Sequence, residues 1–308
     1  MKRRAAIAAI AIASAVAVAG CGLGAGAGTG GAHLMVTSDF GGRQIAAVDA
    51  THVPGSETVM RMLERRFDVK TRYGGGFVES INGDSGTSSQ RDWFYYVNGV
   101  QAPQGAAATA VHHDDRIWFD LHDWRATDSI PAVVGSFPEP FANGIGGKRY
   151  PTTIECGSDV AAACKRVTAA LSGNGVPVAN QLIGTGSGPD TLGVVVGTWK
   201  QLAPELAAEL IAHGPGASGV YAHFSGPAGS SLQLLDPGGH VVRTLTNGAG
   251  LVAATADMSS VPTWLVTGTD IAGVNAAARA FNEQALHDHF ALAVQGDASY
   301  PVPLDGGQ

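Results

Sequence analysis

Residues 111–124, VHHDDRIWFDLHDW, hold three histidines, four aspartates and two tryptophans. Imidazole and carboxylate groups at this density are the raw material of a metal centre or of general acid–base catalysis. Spacing decides whether they can act together. An extended chain points successive side chains to opposite faces, so adjacent His112 and His113 diverge and do not share one ion. Period two divides the rest as well. Ile117, Phe119 and Leu121 form an apolar face, and Arg116, Trp118, Asp120, His122 and Trp124 form the other. His122 and Asp120 alone are too few ligands for a tetrahedral metal, so no metal is expected. HHDD reads as a turn and RIWFDLHDW as a closing strand. Its mixed face has two readings. It is a ligand-binding surface on which Trp118 and Trp124 stack a ring, or it is buried against a neighbouring domain with Arg116 paired to Asp120.

The preceding segments supply the elements that would hold this strand. Strands are expected at 33–40 and 44–48. A helix follows, capped by Ser56, with Val59, Met60, Leu63 and Phe67 on one side. WFYYVNG at 93–99 splits into Trp93, Tyr95 and Val97 against Phe94, Tyr96 and Asn98; both sets are aromatic-rich, as in a central strand. Asn98-Gly99 is a two-residue hairpin signal. The series PGSETVMRML (54–63), FVESING (77–83), WFYYVNG (93–99) and DRIWF (115–119) resembles the transcobalamin-like C-terminal domain. The resemblance covers roughly residues 33–125, with WFYYVNG its most specific part. It implies a β-grasp-like fold, occurrence in bacterial surface proteins, and ligand or partner binding more readily than catalysis. Cobalamin or another tetrapyrrole is the ligand it suggests. The helical barrel that accompanies this domain in vertebrate cobalamin carriers has no counterpart in the sequence.

The amino-terminus bears on the compartment. Lys2, Arg3 and Arg4 precede an apolar run at 5–19, the pattern of a secretory signal and too short for a comfortable span. Val18-Ala19-Gly20-Cys21 resembles a lipobox, with Val18 where such patterns usually carry Leu. Cys21 is therefore the expected lipidation site, residues 1–21 the signal peptide and the Gly-rich 22–32 a tether. The expected location is the extracytoplasmic face of the cell membrane, with an envelope transport partner as an associated expectation. Net charge is −7 and Lys and Arg form no later block, which argues against nucleic acid.

Residues 129–151, with four prolines and four glycines, read as an extended connector able to pack against both domains. Beyond it, apolar strands alternate with helices expected at 159–171, 200–213 and 271–286, the pattern of βαβ units. Gly-Thr turns at Thr198 and Thr269 each lead into a helix that the threonine can cap. Cys156 and Cys164, an even pair in an oxidising compartment, are expected to form a disulfide. No GxSxG elbow stands between a strand and a helix, the loop 184–190 is followed by no helix, and His287 and His289 do not share a helical face. The expected architecture is a β-grasp-like α+β module at 33–128 and an α/β domain at 152–308. The expected activity is non-enzymatic and cofactor-free: small-ligand binding through Trp93, Tyr95, Asn98, Arg116, Trp118, Asp120, His122 and Trp124. The alternative is a structural or protein-interaction lipoprotein, and a hydrolytic or metal-dependent enzyme ranks below both.

Overall fold

The computed structural model describes residues 30–86, 90–257 and 261–304. The signal-peptide, lipobox and Cys21 expectations lie outside the described residues, as does most of the tether. Among the described residues no helix is long and apolar enough to cross a membrane.

The first module contains β1 (Ala32–Ser38), β2 (Arg43–Ala50), α1 (Val59–Arg66), β3 (Val69–Arg72), β4 (Phe77–Ile81), β5 (Asp84–Ser85), β6 (Arg91–Val97), β7 (Val100–Gln101) and β8 (Arg116–Asp123). Five strands form one sheet in the order β2-β1-β8-β6-β7. β1 and β8 run parallel at its centre, and each is flanked by an antiparallel partner. That is the β-grasp arrangement, and the fold is α+β. α1 lies over one face, where Val59, Met60, Met62 and Leu63 meet Leu34, Val36, Ile117, Phe119 and Leu121. Thr58, not Ser56, caps α1: its side chain accepts the Arg61 N–H at 3.3 Å. Ser56 contributes its carbonyl to the Arg61 guanidinium instead.

The second unit contains β9 (Thr152–Cys156), α2 (Ala161–Gly173), β10 (Val178–Leu182), β11 (Leu192–Thr198), α3 (Trp199–Leu202), α4 (Leu206–Ala212), α5 (Pro215–Ser218), β12 (Ala222–Ser225), β13 (Ser231–Leu235), β14 (Val241–Leu245), β15 (Ala249–Thr255), β16 (Thr263–Gly268), α6 (Ile271–Ala280), α7 (Glu283–Leu286), β17 (Ala291–Gln295) and β18 (Ala298–Val302). Its seven-stranded sheet runs β10-β9-β11-β16-β15-β17-β18, parallel from β10 to β16 and antiparallel beyond. Both faces are covered, which explains the unbroken apolar runs of β11 and β15. Val194, Val196, Val252 and Trp264 face α2 and α6. Val195, Leu251, Leu265 and Ala293 face α4 and the small sheet β12-β13-β14.

Two expected helices are broken. Pro204 has no N–H and stops the first, leaving α3 and α4. The other is interrupted at Phe281 and Asn282, where the Asn282 side chain caps α7 by accepting the Ala285 N–H. Thr198 caps α3 in a capping box with Gln201. Thr269 does not cap α6; Asp270 does, through the Gly273 N–H at 2.8 Å. The Thr269 hydroxyl instead donates to the Thr246 carbonyl.

Residues 129–151 are not a loose connector. Ile130 and Val133 enter the core on one side of the large sheet, while Ala132, Val134, Phe137 and Phe141 enter the core on the other. Their backbone also stitches the two units together. Val133 N donates to Gly99 O at 2.8 Å, Gly99 O lying in the β6–β7 turn, and Val134 N donates to Phe290 O at 3.1 Å. Prolines and glycines here set a path that buries apolar side chains against both units.

Candidate functional site

The period-two reading places Arg116, Trp118, Asp120 and His122 on one face of β8, and that face meets the second unit. Trp118 is 1% exposed, edge-on to Phe290 at 5.1 Å, with its indole N–H donating to the Thr37 hydroxyl at 2.6 Å. Asp120 accepts the Phe40 N–H at 3.1 Å and the Gly41 N–H at 2.9 Å, as well as the Thr37 hydroxyl. Its other neighbour is His122, whose Nδ1 lies 2.9 Å away. The His122 ring is stacked between Phe40 at 4.6 Å and Phe94 at 4.4 Å. A buried carboxylate survives only when its lone pairs are used, and here they are. These side chains hold the seam and are closed to a ligand. Arg116 is not paired with Asp120. It donates to Phe137 O at 3.0 Å and to Glu283 at 2.6 Å, linking β8 to α7.

Gly41 allows the seam to close. Its φ is +82°, and a Cβ there would lie 1.9 Å from the Asp288 carbonyl. Beside it a cleft of about 260 Å3 is lined by His33, Arg116, Glu283, His287 and Asp288 among others. Its ionisable groups are matched in pairs, His33 with Asp49 at 2.7 Å and His287 with Asp288 at 2.9 Å. Burial pushes the Asp288 carboxyl up. Among the described residues, no three His, Cys, Asp or Glu side chains are placed to hold a metal ion.

Asn98 has a structural post. At φ +54° in the hairpin turn, it donates from Nδ2 to Asp115 at 2.8 Å and to Gly144 O at 2.9 Å, and accepts the Arg116 N–H at 2.8 Å. Every hydrogen bond ties the hairpin to β8 or to the connector. Burial raises the Asp115 carboxyl, against the lowering effect of the His112 N–H and Asn98. His112 and His113 lie in the turn before β8, apart from the seam.

The remaining sequence candidates meet elsewhere. Within β6, β7 pairs in register with Tyr96 and Val97 and otherwise bridges Ala132 of the connector, and Pro103 cannot prolong the pairing with β6. A groove of about 400 Å3 lies alongside the stretch of β6 that β7 leaves uncovered. Phe77, Trp93, Phe94, Tyr95, Phe119 and Trp124 line it, with Met60 of α1. Trp124 follows the end of β8 and is fixed by its indole N–H, which donates to Asp92 at 2.9 Å. The Tyr95 ring stacks on Phe119 at 5.1 Å. Its hydroxyl bonds Thr109 at 2.8 Å and Gln104 O, and burial raises its pKa. Asp92 and Asp128 are the carboxylates of the lining, and none of the described lining residues is Lys, Arg or His. Sequence reasoning named Trp93, Tyr95 and Trp124 but missed Phe77, Phe94 and Phe119. The available signal was Pro103, which ends β7 four residues after the turn.

Residues 56–123 match the family model described as Domain of unknown function (DUF4430). That family is related to transcobalamin-like domains. The match covers less than half of the chain and runs from just before α1 to the end of β8. It therefore contains Asp92 and five of the six groove aromatics, while Trp124 and Asp128 fall just past it. No curated protein matches the chain. In the second unit, Cys156 and Cys164 form a disulfide with a Cα–Cα distance of 6.0 Å, joining the end of β9 to α2.

Proposed function

We propose that the protein is a lipid-anchored, extracytoplasmic, non-enzymatic binding protein whose ligand seat is the aromatic groove beside β6. One observation carries the proposal: six aromatic residues line a groove of about 400 Å3 at the open edge of β6, while the seam takes up Tyr96, Trp118 and the Phe94 ring on the opposite face of the same sheet. Ligand sites are concave, mostly apolar, and about 300–1,000 Å3 in volume. A groove at the small end of that range takes one ring, or one edge of a macrocycle. Cobalamin or another tetrapyrrole, named by the transcobalamin-like resemblance, would engage by such an edge. The basic, apolar and Cys21-terminated leader supports the anchored location.

Protein interaction at the envelope is the alternative, and it rests on Phe77, 38% exposed in the groove, and Tyr73, 87% exposed in the depression beside it. Titration of the detergent-solubilised full chain with cobalamin and haem, followed by tryptophan fluorescence, tests the tetrapyrrole proposal. Saturable quenching that is lost in Trp124→Ala is the expected result. Unsaturable or absent quenching with every tetrapyrrole removes that ligand class and leaves the interaction role the better supported.

A further inference from the structure

The lining of the groove specifies more than apolarity. Aromatic faces carry negative potential, and a cation set against several of them is held by that field, more strongly where water is displaced. Here Phe77, Trp93, Tyr95, Phe119 and Trp124 line the groove together with the carboxylates of Asp92 and Asp128, and the described lining holds no cationic side chain. The Trp124 indole N–H donates to Asp92 at 2.9 Å, which pins a carboxylate against the edge of one of the rings. Arginines are present nearby, but each is engaged with an acid. Arg72 and Arg91 line an adjoining depression that shares Phe77, Asp92 and Trp124 with the groove, but there Arg72 bonds Glu79 at 2.7 Å and Arg91 lies 2.6 Å from Asp39. A negatively polarised, ring-walled groove with no positive group of its own complements a positive ligand.

We infer that the groove recognises a small organic cation, a quaternary ammonium or protonated amine carried on a flat apolar body. The inference rests on the binding role proposed above, not on the tetrapyrrole assignment, and gives that site a different ligand class. The apolar body lies along Trp93, Tyr95 and Phe119, and the charged head sits among Trp124, Asp92 and Asp128.

The test compares two molecules of the same shape. The (4-hydroxyphenyl)trimethylammonium ion and 4-tert-butylphenol differ in charge and hardly in size. Both are titrated calorimetrically into the full chain in an uncharged detergent. The cation should bind about tenfold more tightly, within the range for partly desolvated cation–π contacts. In the Asp92→Asn, Asp128→Asn double variant that preference should fall to about twofold or less, with 4-tert-butylphenol affinity unchanged. Asparagine at position 92 can still accept the Trp124 N–H, so the wall stays in place. Equal affinity for the two molecules, or a preference that survives in the double variant, overturns the cation inference and leaves ligand binding standing. Failure of both molecules to bind overturns the cation inference, and the groove as ligand seat is then decided by the tetrapyrrole titration.

Discussion

Asp120 and His122, two residues apart on β8, lie 2.9 Å from each other with side chains 0% and 1% exposed. In the sequence they look like half of a catalytic or metal-binding set. In the fold they are the polar heart of a domain interface, with the Asp120 carboxylate also holding the turn after β1 through two backbone N–H groups.

Asp120→Ala should therefore be costly. It strands the amides of Phe40 and Gly41, the Thr37 hydroxyl and the His122 ring without their acceptor. Removing one side of such a buried charged network costs about 3–5 kcal/mol. Urea unfolding monitored by circular dichroism measures it; a loss below about 1 kcal/mol would contradict the network.

Trp118 and Trp124 should separate stability from binding. Trp118→Ala empties a fully buried site and should cost about 3–5 kcal/mol. Trp124→Ala, at the groove and only partly buried, should cost about 1 kcal/mol or less yet weaken any groove ligand. Melting temperature and ligand affinity measured on both variants check this. The opposite pattern, with binding lost in Trp118→Ala and kept in Trp124→Ala, would move the ligand seat back to the seam.

Two buried groups give opposite pH signatures. Burial raises the Glu139 carboxyl, although Asn143 bonds it through both its backbone and side-chain N–H. Native Glu139 thus binds its proton more tightly than the unfolded chain. Its contribution is fully present below about pH 4.5 and is lost as pH rises through the folded value. Glu139→Gln should gain on the wild type between about pH 4.5 and pH 7. Burial lowers the pKa of His289, so its contribution is present above about pH 6.5 and is lost as pH falls through the folded value. His289→Gln should lose less stability than the wild type from about pH 7 to pH 5. Urea midpoints across that range read both signs.

Reduction of Cys156–Cys164, or Cys164→Ser, releases a short loop with a sequence separation of 8. Chain-entropy arguments put the loss at about 2–3 kcal/mol. Comparing thermal unfolding with and without reductant checks it; an unchanged transition would show that the core around α2 holds β9 without the covalent link.

Period two and the helical spacing of Val59, Met60 and Leu63 made most of the first module legible, because β-grasp cores rest on local amphipathic patterns. The same period sorted Arg116, Trp118, Asp120 and His122 onto one face. What faced them was not legible, since Phe290 and Glu283 are more than 160 residues away in the chain. Asn98 looked like a ligand contact because its type suits one, whereas its partners Asp115 and Gly144 come from a turn and from the connector. Phe94 and Phe119 were assigned to faces of the sheet. A groove formed where a strand ends short is a property of the edge, which periodicity does not describe. The connector was expected to be able to pack against both domains, and it does; which of its side chains are buried was not legible, because burial at Phe137 and Phe141 is decided by what packs on them.

One apolar cluster runs from Met35, Tyr96 and Trp118 of the first sheet through Phe290 and Tyr221 to Leu251 and Leu265 of the second. The consequence is for modularity. A β-grasp excised after residue 128 would leave that aromatic face without its cover, an invitation to self-association rather than a working miniature. Shuffled by recombination, the module would need to travel with its neighbour or be resurfaced on arrival. In this chain the two units share one core and are built as a pair.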